Sequence, residues 1–234
     1  MIKTPNAKPM RLSKSTLDIL KNFSTINQSI CFKKGNLLST LSIQKNILSR
    51  AVVEETFPKD FAIYDLGEFL SQLALFEDPE FDFSHDSYVV IKDSKKGLRS
   101  RYFYTDPSVI TSPPEKKVEL PSKDVCFVWQ GADLRNLKRA AAIYGVDDLS
   151  IVGDGKNIEL VVRDKKNDTS NSYAVKVGKA DANFCLNFKV ETLKIIEDLD
   201  YDVVVSKHNA SLFRNEKFDL EYLIALEPDS KYEG

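Results

Sequence analysis

Hydrophobic and polar positions along this chain repeat in a unit that occurs four times. Its clearest copy is residues 125–164. There VCFVWQ alternates as a strand, ADLRNLKRAAAIY carries apolar residues at helical spacing, and two β-branched runs follow, hinged at Gly153-Asp154-Gly155. From Asn183 the chain gives NFCLNF, KVETLKIIEDL, then YDVVVS and ASLFR joined through Lys207-His208-Asn209. From Phe61 it gives FAIY, DLGEFLSQLALFE, then EFDFS and YVVIKD joined through Asp86-Ser87, and near the start SKSTLDILKNFSTIN precedes SICFK and LLSTLSI, joined through Lys34-Gly35-Asn36. Helix followed by hairpin, recurring roughly every fifty to sixty-five residues, predicts a duplicated α+β fold with helices on one face of antiparallel sheets.

The helical stripes say which faces are buried. Ser13 is a candidate N-cap for a first helix whose apolar side holds Leu12, Thr16, Ile19, Leu20, Phe23 and Ile26, with Lys14, Asp18, Lys21 and Thr25 opposite. Asp65 and Glu68 stand in capping-box spacing before Leu66, Phe69, Leu70, Leu73 and Phe76. That second helix turns out Glu68, Ser71 and Gln72, without positive charge. The third buries Leu134, Leu137, Ala140, Ala141 and Tyr144 and turns out Arg135, Lys138 and Arg139 beside Ala142. A fourth helix is expected over KVETLKIIEDL, where Lys189 and Lys194 are offset by Glu191, Glu197 and Asp198. Pro107, Pro113, Pro114 and Pro121 break the pattern and mark a connector. The organisation expected is a loose tail (1–10), a first domain (11–104), a connector (105–124) and a second, similar domain (125–234).

Composition narrows the class. The chain has 234 residues, 42% hydrophobic and 29% charged, a formal net charge of -2, and a mean hydropathy of -0.29 with pI near 5.8. No run approaches the ~18 apolar residues of a membrane span, and MIKTPNAKPM lacks the apolar core of a signal peptide, so the expected setting is cytoplasmic with no membrane partner. Cys31, Cys126 and Cys185 are scattered through strand-like runs and read as reduced thiols. His85 and His208 fall at hairpin turns. Gly153-Asp154-Gly155-Lys156 lacks phosphate-loop spacing, and pairs such as Glu54-Glu55 and Asp147-Asp148 have no partner base. No catalysis, metal or cofactor is expected. The basic face of the third helix gains weight because the first helix places Lys14 and Lys21 in the matching position. A charge run of this kind is also what a solvated face shows.

Two similar domains of paired helix-and-hairpin units resemble the DNA sliding clamps. The chain is most similar to the polymerase clamps, or processivity factors, of T-even-type bacteriophages, at RLSKSTLDILKNFSTINQSI, AIYDLGEFLSQLALFEDPE and YLIALEPDS, within a likeness running from about Arg11 to Asp229. The resemblance implies a clamp-fold homotrimer closed head-to-tail, with helices lining a hole around duplex DNA held without sequence preference. It implies partners: the replicative polymerase, through a short C-terminal peptide, an ATP-dependent clamp loader, and late-transcription factors, all in the cytoplasm of an infected bacterial host. The chain has no nucleotide motif, so ATP chemistry belongs to a partner. Lys14, Lys21, Arg135, Lys138, Arg139 and Lys194 are then the expected DNA-facing residues. Val118, Leu120, Tyr222, Ile224, Leu226 and Pro228 are the expected peptide pocket, near the connector and the last strand, though YLIAL also reads as a plain core strand. The second and fourth helices depart from an evenly positive lining. Two other readings stay open: a non-encircling interaction scaffold of the same fold, and an enzyme whose site forms between subunits.

Overall fold

The computed structural model describes residues 10–167 and 169–233. The tail expected over residues 1–10 lies outside them except for Met10, which bridges Phe81 through a 2.9 Å hydrogen bond from the Phe81 N–H to the Met10 carbonyl. In chain order the elements are α1 (Lys14–Ile26), β1 (Ile30–Phe32), β2 (Gly35–Leu41), β3 (Ile47–Phe57), β4 (Phe61–Ile63), α2 (Leu66–Leu73), β5 (Glu80–Asp82), β6 (Tyr88–Asp93) and β7 (Leu98–Phe103). After a 3-10 turn at Pro107–Val109 come β8 (Val125–Trp129), α3 (Gly131–Tyr144), β9 (Asp148–Asp154), β10 (Ile158–Arg163), β11 (Tyr173–Gly178) and β12 (Asn183–Lys189). A second 3-10 turn, Val190–Thr192, leads to β13 (Tyr201–Ser206), β14 (Ala210–Asn215), β15 (Leu220–Ala225) and β16 (Lys231–Glu233).

The chain divides into two compact units, and the division is not sequential. Of the described residues, one unit takes those up to Thr40 together with Ala51–Ser112; the other takes Leu41–Arg50 and those from Pro113 on. Sequence order assigns residues 41–50 to the first domain. In the structure they sit with the second, because the Ala225 N–H donates to the Asn46 carbonyl (2.9 Å) and the Ser49 hydroxyl to the Glu221 carbonyl (2.9 Å), so the run extends the sheet at β15.

In the first unit, α1 buries Thr16, Ile19, Leu20, Phe23 and Ile26, the stripe read from the sequence except for Leu12, which precedes the helix and is half-buried. Ser13 caps it by accepting from the Thr16 N–H (3.2 Å). Glu55 completes the cap, accepting from the Ser13 N–H and, at 2.5 Å, from the Thr16 hydroxyl. Helix α2 packs on α1, β1 pairs with β4, and β5-β6-β7 form a meander. Their shared interior is aromatic: Phe32 and Phe61 stack at 4.4 Å, Phe57 meets Phe61 and Phe83 edge-on, and Phe83 is tilted on Phe61. Each such ring removed from water contributes about 1.5–3 kcal/mol.

The second unit holds a sheet ordered β11-β10-β9-β12-β16 and a run β15-β14-β13-β8. Helix α3 lies over β10 and β11, ending at Gly145, whose φ of 65° gives the left-handed C-cap that favours glycine. Trp129, Phe188, Tyr201, Phe213 and Tyr222 fill the interior.

The expected fourth helix does not form; residues 190–199 make only the turn Val190–Thr192. Val190, Thr192, Ile195 and Ile196 are β-branched, which weakens helix propensity. Burial follows a two-residue spacing, Leu193 and Ile195 being buried. The carbonyls a helix would use internally accept from elsewhere: Leu193 from Lys138 (2.8 Å), Ile196 from the Tyr201 hydroxyl (2.9 Å) and Glu197 from Arg135 (3.3 Å). The segment also presses on α3, where a Cβ built on Gly131 stands 2.5 Å from the Glu197 carbonyl oxygen, so only glycine fits.

The cap of α2 yields a test of this unit. Asp65 accepts from the Glu68 N–H (2.8 Å) and from the Gln28 amide (2.6 Å), and these bonds hold its carboxyl below the ordinary aspartate range. Asp65→Ala is expected to cost about 1 kcal/mol in urea unfolding at neutral pH. Because the folded pKa is the lower one, the stabilisation is present above the ordinary value of about 3.9 and is lost as pH falls through the folded value. The gap between parent and variant therefore narrows in that acid window, and Asp65→Asn keeps most of the cap without the pH dependence.

Candidate functional site

Residues singled out in the sequence fall into two groups. The first is cationic, carried by α1 in one unit and by α3 in the other. On α1, Lys14 and Lys21 are exposed opposite the buried stripe. Lys21 lies 3.6 Å from Asp18 on the same helix, whereas Lys14 makes no ion pair among the described residues.

On α3 the three cations have different surroundings. Arg135 pairs with Asp198, and Lys138 reaches Glu197 at 2.8 Å in addition to the Leu193 carbonyl. Two of the three charges are thus matched by the segment that replaces the fourth helix. Arg139 is exposed and has no ion pair among the described residues. Lys194 is half-buried on that same segment, beside Leu193, so the structure gathers Arg135, Lys138 and Lys194 around residues 193–198. Such exposed ion pairs are weak, about 0–1 kcal/mol, and an approaching polyanion competes for the cation at small cost.

The second group concerns an apolar groove of about 320 Å³ in the second unit. Leu41 and Leu48 come from the 41–50 run, Pro114 and Val118 from the connector, and Leu223 and Ile224 from β15, with Lys45 at the edge. Of the six expected pocket residues, Val118 and Ile224 line it. Tyr222 is fully buried against Tyr201, where burial pushes its phenol well above the ordinary range. Leu226 is buried as well, its N–H donating to the Asn209 carbonyl at 3.0 Å. These two are core residues and not walls. Leu120 is half-exposed and Pro228 exposed, and neither is among the residues that line the groove. Pro228 belongs to a run fastened to β12 by the Glu227 N–H on the Asn187 carbonyl (2.8 Å) and to Lys165 by Asp229 (2.7 Å).

Four residues that sequence reasoning missed shape the groove: Leu41, Lys45, Leu48 and Arg50. Arg50 donates through Nη2 to the Pro114 carbonyl (2.7 Å) and the Lys116 carbonyl (2.9 Å), fixing the connector as one wall. Lys117 adds a 3.2 Å ion pair to Glu221, which Arg214 also holds at 2.8 Å. The signal available in the sequence was the polar turn Ser42–Asn46 between two apolar runs; its pairing with a strand far downstream is not a local property. Among the described residues no three His, Cys, Asp or Glu side chains are grouped to hold a metal ion.

Comparison with known proteins places this geometry. The DNA polymerase processivity factor family matches residues 13–104. The sliding clamp of Vibrio phage KVP40 is 35% identical over 225 residues, covering 93% of this chain and 99% of that protein. The sliding clamp of Enterobacteria phage T4 is 29% identical over 234 residues, covering 96% and 100%. Among solved structures, the proliferating cell nuclear antigen of Entamoeba histolytica superposes with a TM-score of 0.70 at 11% identity, over 93% of this chain and 97% of that one. The A. fulgidus PCNA bound to the C-terminal region of FEN-1 gives 0.67 at 13% identity, over 92% and 96%. At such low identity these two establish the shared fold alone.

Arg50 is the residue on which the groove wall depends. A hydrogen bond from a charged donor contributes about 1.5–3 kcal/mol. Arg50→Ala is expected to free the connector, so that trypsin cuts after Lys116 or Lys117 roughly tenfold faster, while the circular dichroism spectrum is unchanged. Cleavage at the parental rate would show that other contacts hold the wall.

Proposed function

This chain belongs to the sliding clamps of T-even-type bacteriophages, the processivity factors of their DNA polymerases, and from that premise we propose that it closes as a homotrimer around duplex DNA and tethers the replicative polymerase to it. The observation that carries this reading is that the helix of each unit exposes a cation with no ion pair among the described residues, Lys14 at the start of α1 and Arg139 within α3. Phosphate contacts made by such residues carry no sequence information and loosen with salt. A ring that encloses the duplex gains its hold from topology, so weak contacts suffice and leave it free to move. Lys21 adds to the charge of the first unit and Arg135, Lys138 and Lys194 to that of the second, those in ion pairs less than Lys14 and Arg139.

Ring closure needs a head-to-tail contact between different surfaces of neighbouring copies. Strand β7 is the outer strand of its meander and exposes Leu98 and Phe103, and β11 is an outer strand of the five-stranded sheet. Pairing of β7 in one copy with β11 in the next supplies backbone hydrogen bonds to two otherwise open edges.

The groove beside the connector is the proposed seat for the polymerase's C-terminal peptide. The FEN-1 segment held by the A. fulgidus PCNA is such a C-terminal region in a protein of the same fold. An ATP-dependent loader opens the ring, since no nucleotide motif lies in this chain, and the loaded clamp also serves late transcription in the cytoplasm of the infected bacterium. The non-encircling scaffold is disfavoured, because the relatives that match over nearly the whole chain are sliding clamps. The sliding-clamp and processivity-factor relatives favour a non-catalytic accessory role over the enzyme reading.

Light scattering after size exclusion is expected to give three times the 26.5 kDa chain mass, and Phe103→Glu to give single chains. Loaded clamp should stay on nicked circular DNA and slide off once the circle is cut. Single chains at tens of micromolar together with retention indifferent to circularity would overturn the ring.

The same loading assay orders the cations. Lys14→Glu with Arg139→Glu is expected to reduce loading and to lower the salt slope by roughly one for each phosphate no longer neutralised, whereas Arg135→Glu has the smaller effect. Equal losses from all three substitutions would show that the ion pairs on α3 do not screen it.

A further inference from the structure

Lys45 is the one charged residue in the lining of the groove. It sits in a tight turn: its N–H donates to the Ser42 carbonyl (2.8 Å), and the Ser42 hydroxyl accepts from the N–H groups of Asn46 (3.1 Å) and Ile47 (3.0 Å). Its own φ is 59°, a left-handed conformation that the turn imposes on a non-glycine residue. The side chain is therefore displayed from a fixed backbone, yet its ammonium makes no hydrogen bond or ion pair among the described residues. The acids of the neighbouring connector, Glu115 and Glu119, form no ion pair with it either.

We propose that Lys45 makes this groove selective for a peptide that carries an acidic side chain beside its apolar anchors. The inference rests on the reading of the groove as the partner site. A ligand made only of apolar residues would cover Leu41, Leu48, Val118 and Leu223 while drying the ammonium at their edge, and a cation losing water without gaining a partner opposes binding. A carboxylate in the same ligand restores a charge-assisted hydrogen bond in a setting drier than bulk water. The groove thus discriminates against neutral peptides as well as for acidic ones. The turn also fixes where the carboxylate lies. Ile43, two residues before Lys45 in the same turn and not among the lining residues, keeps 75% of its surface exposed, so a peptide that continues across the turn meets apolar surface there too. A peptide that covers both the groove and Ile43 runs past Lys45, so the acid we assign is the side chain of an internal residue and not the chain end.

The test uses labelled C-terminal peptides of the cognate polymerase in three forms: unmodified, with internal Asp and Glu replaced by Asn and Gln, and with an amidated terminus. Each is titrated by fluorescence anisotropy against the assembled clamp and against Lys45→Ala, Lys45→Glu and Val118→Glu. The internal-amide form is expected to bind the parent about three- to fivefold more weakly, and Lys45→Glu to weaken the unmodified peptide roughly tenfold, both differences vanishing in high salt. Lys45→Glu should leave the internal-amide form nearly unaffected. If Lys45→Glu changes nothing while Val118→Glu abolishes binding, the groove stands as the partner site and the role of Lys45 is wrong. If terminal amidation, and not internal amides, carries the loss, the internal-acid assignment is wrong. Unchanged binding to Val118→Glu would overturn the groove itself.

Discussion

The second unit is completed by a piece of chain from far upstream, and its apolar groove depends on that pairing. Residues 46–49 bond to β15 through the Ala225 N–H and the Glu221 carbonyl, across a sequence separation of 172 residues between Ser49 and Glu221. Once they are fixed there, Leu41 and Leu48 become the floor of a groove, Lys45 its edge, and Arg50 the anchor for its opposite wall. The hydrogen bonds are individually modest, about 0.5–1.5 kcal/mol each. Their effect is large because they decide which side chains share a surface. The groove is consequently a product of tertiary pairing and not of any one segment.

Electrostatics on the helical face follow a similar logic. The chain is nearly neutral overall, with a formal charge of -2, so any attraction for a polyanion must come from placement. On α3 the replacement of a helix by an irregular segment brings Glu197 and Asp198 onto Lys138 and Arg135. The result is a face graded from matched to unmatched cations, ending at Arg139. Gly131 makes the close approach of that segment possible. The same contact that costs the molecule a helix thus tunes how much positive charge α3 presents.

The sequence made the local layer legible and the long-range layer much less so. Helices α1, α2 and α3 were readable because their apolar residues recur at helical spacing behind recognisable starts, Ser13 and Asp65 capping as their types suggest. The hairpins were readable from β-branched runs around polar turns. The fourth helix misled because KVETLKIIEDL has plausible charges, while its β-branched residues and its contacts with α3 favour an extended path. Val118 and Ile224 were placed in the groove from the connector and the last strand. Tyr222 and Leu226 were not separable from them, because an apolar run does not disclose which members are covered by a neighbouring sheet. The ion pairs of Arg135 and Lys138 were invisible for the same reason, their partners lying about sixty residues away.

If the groove seats the polymerase peptide as proposed, its energetic scale suits a tether that must change hands. Two large apolar side chains entering it contribute about 3–6 kcal/mol, and ordering an extended peptide offsets part of that. A floor and walls already fixed by Arg50, Lys117 and the 42–46 turn lower the cost of organising the receptor, though not that of ordering the ligand. The net corresponds to dissociation constants in the micromolar range or weaker, and hence to rapid release. A partner held so lightly would be lost from a linear contact within moments. On a ring that encloses its template the tether stays close after each release, and rebinding competes with diffusion at a high effective concentration. Weak local contacts, on the groove and on the phosphates alike, are then compatible with long residence, because the closed chain and not the affinity sets how long the assembly remains on DNA.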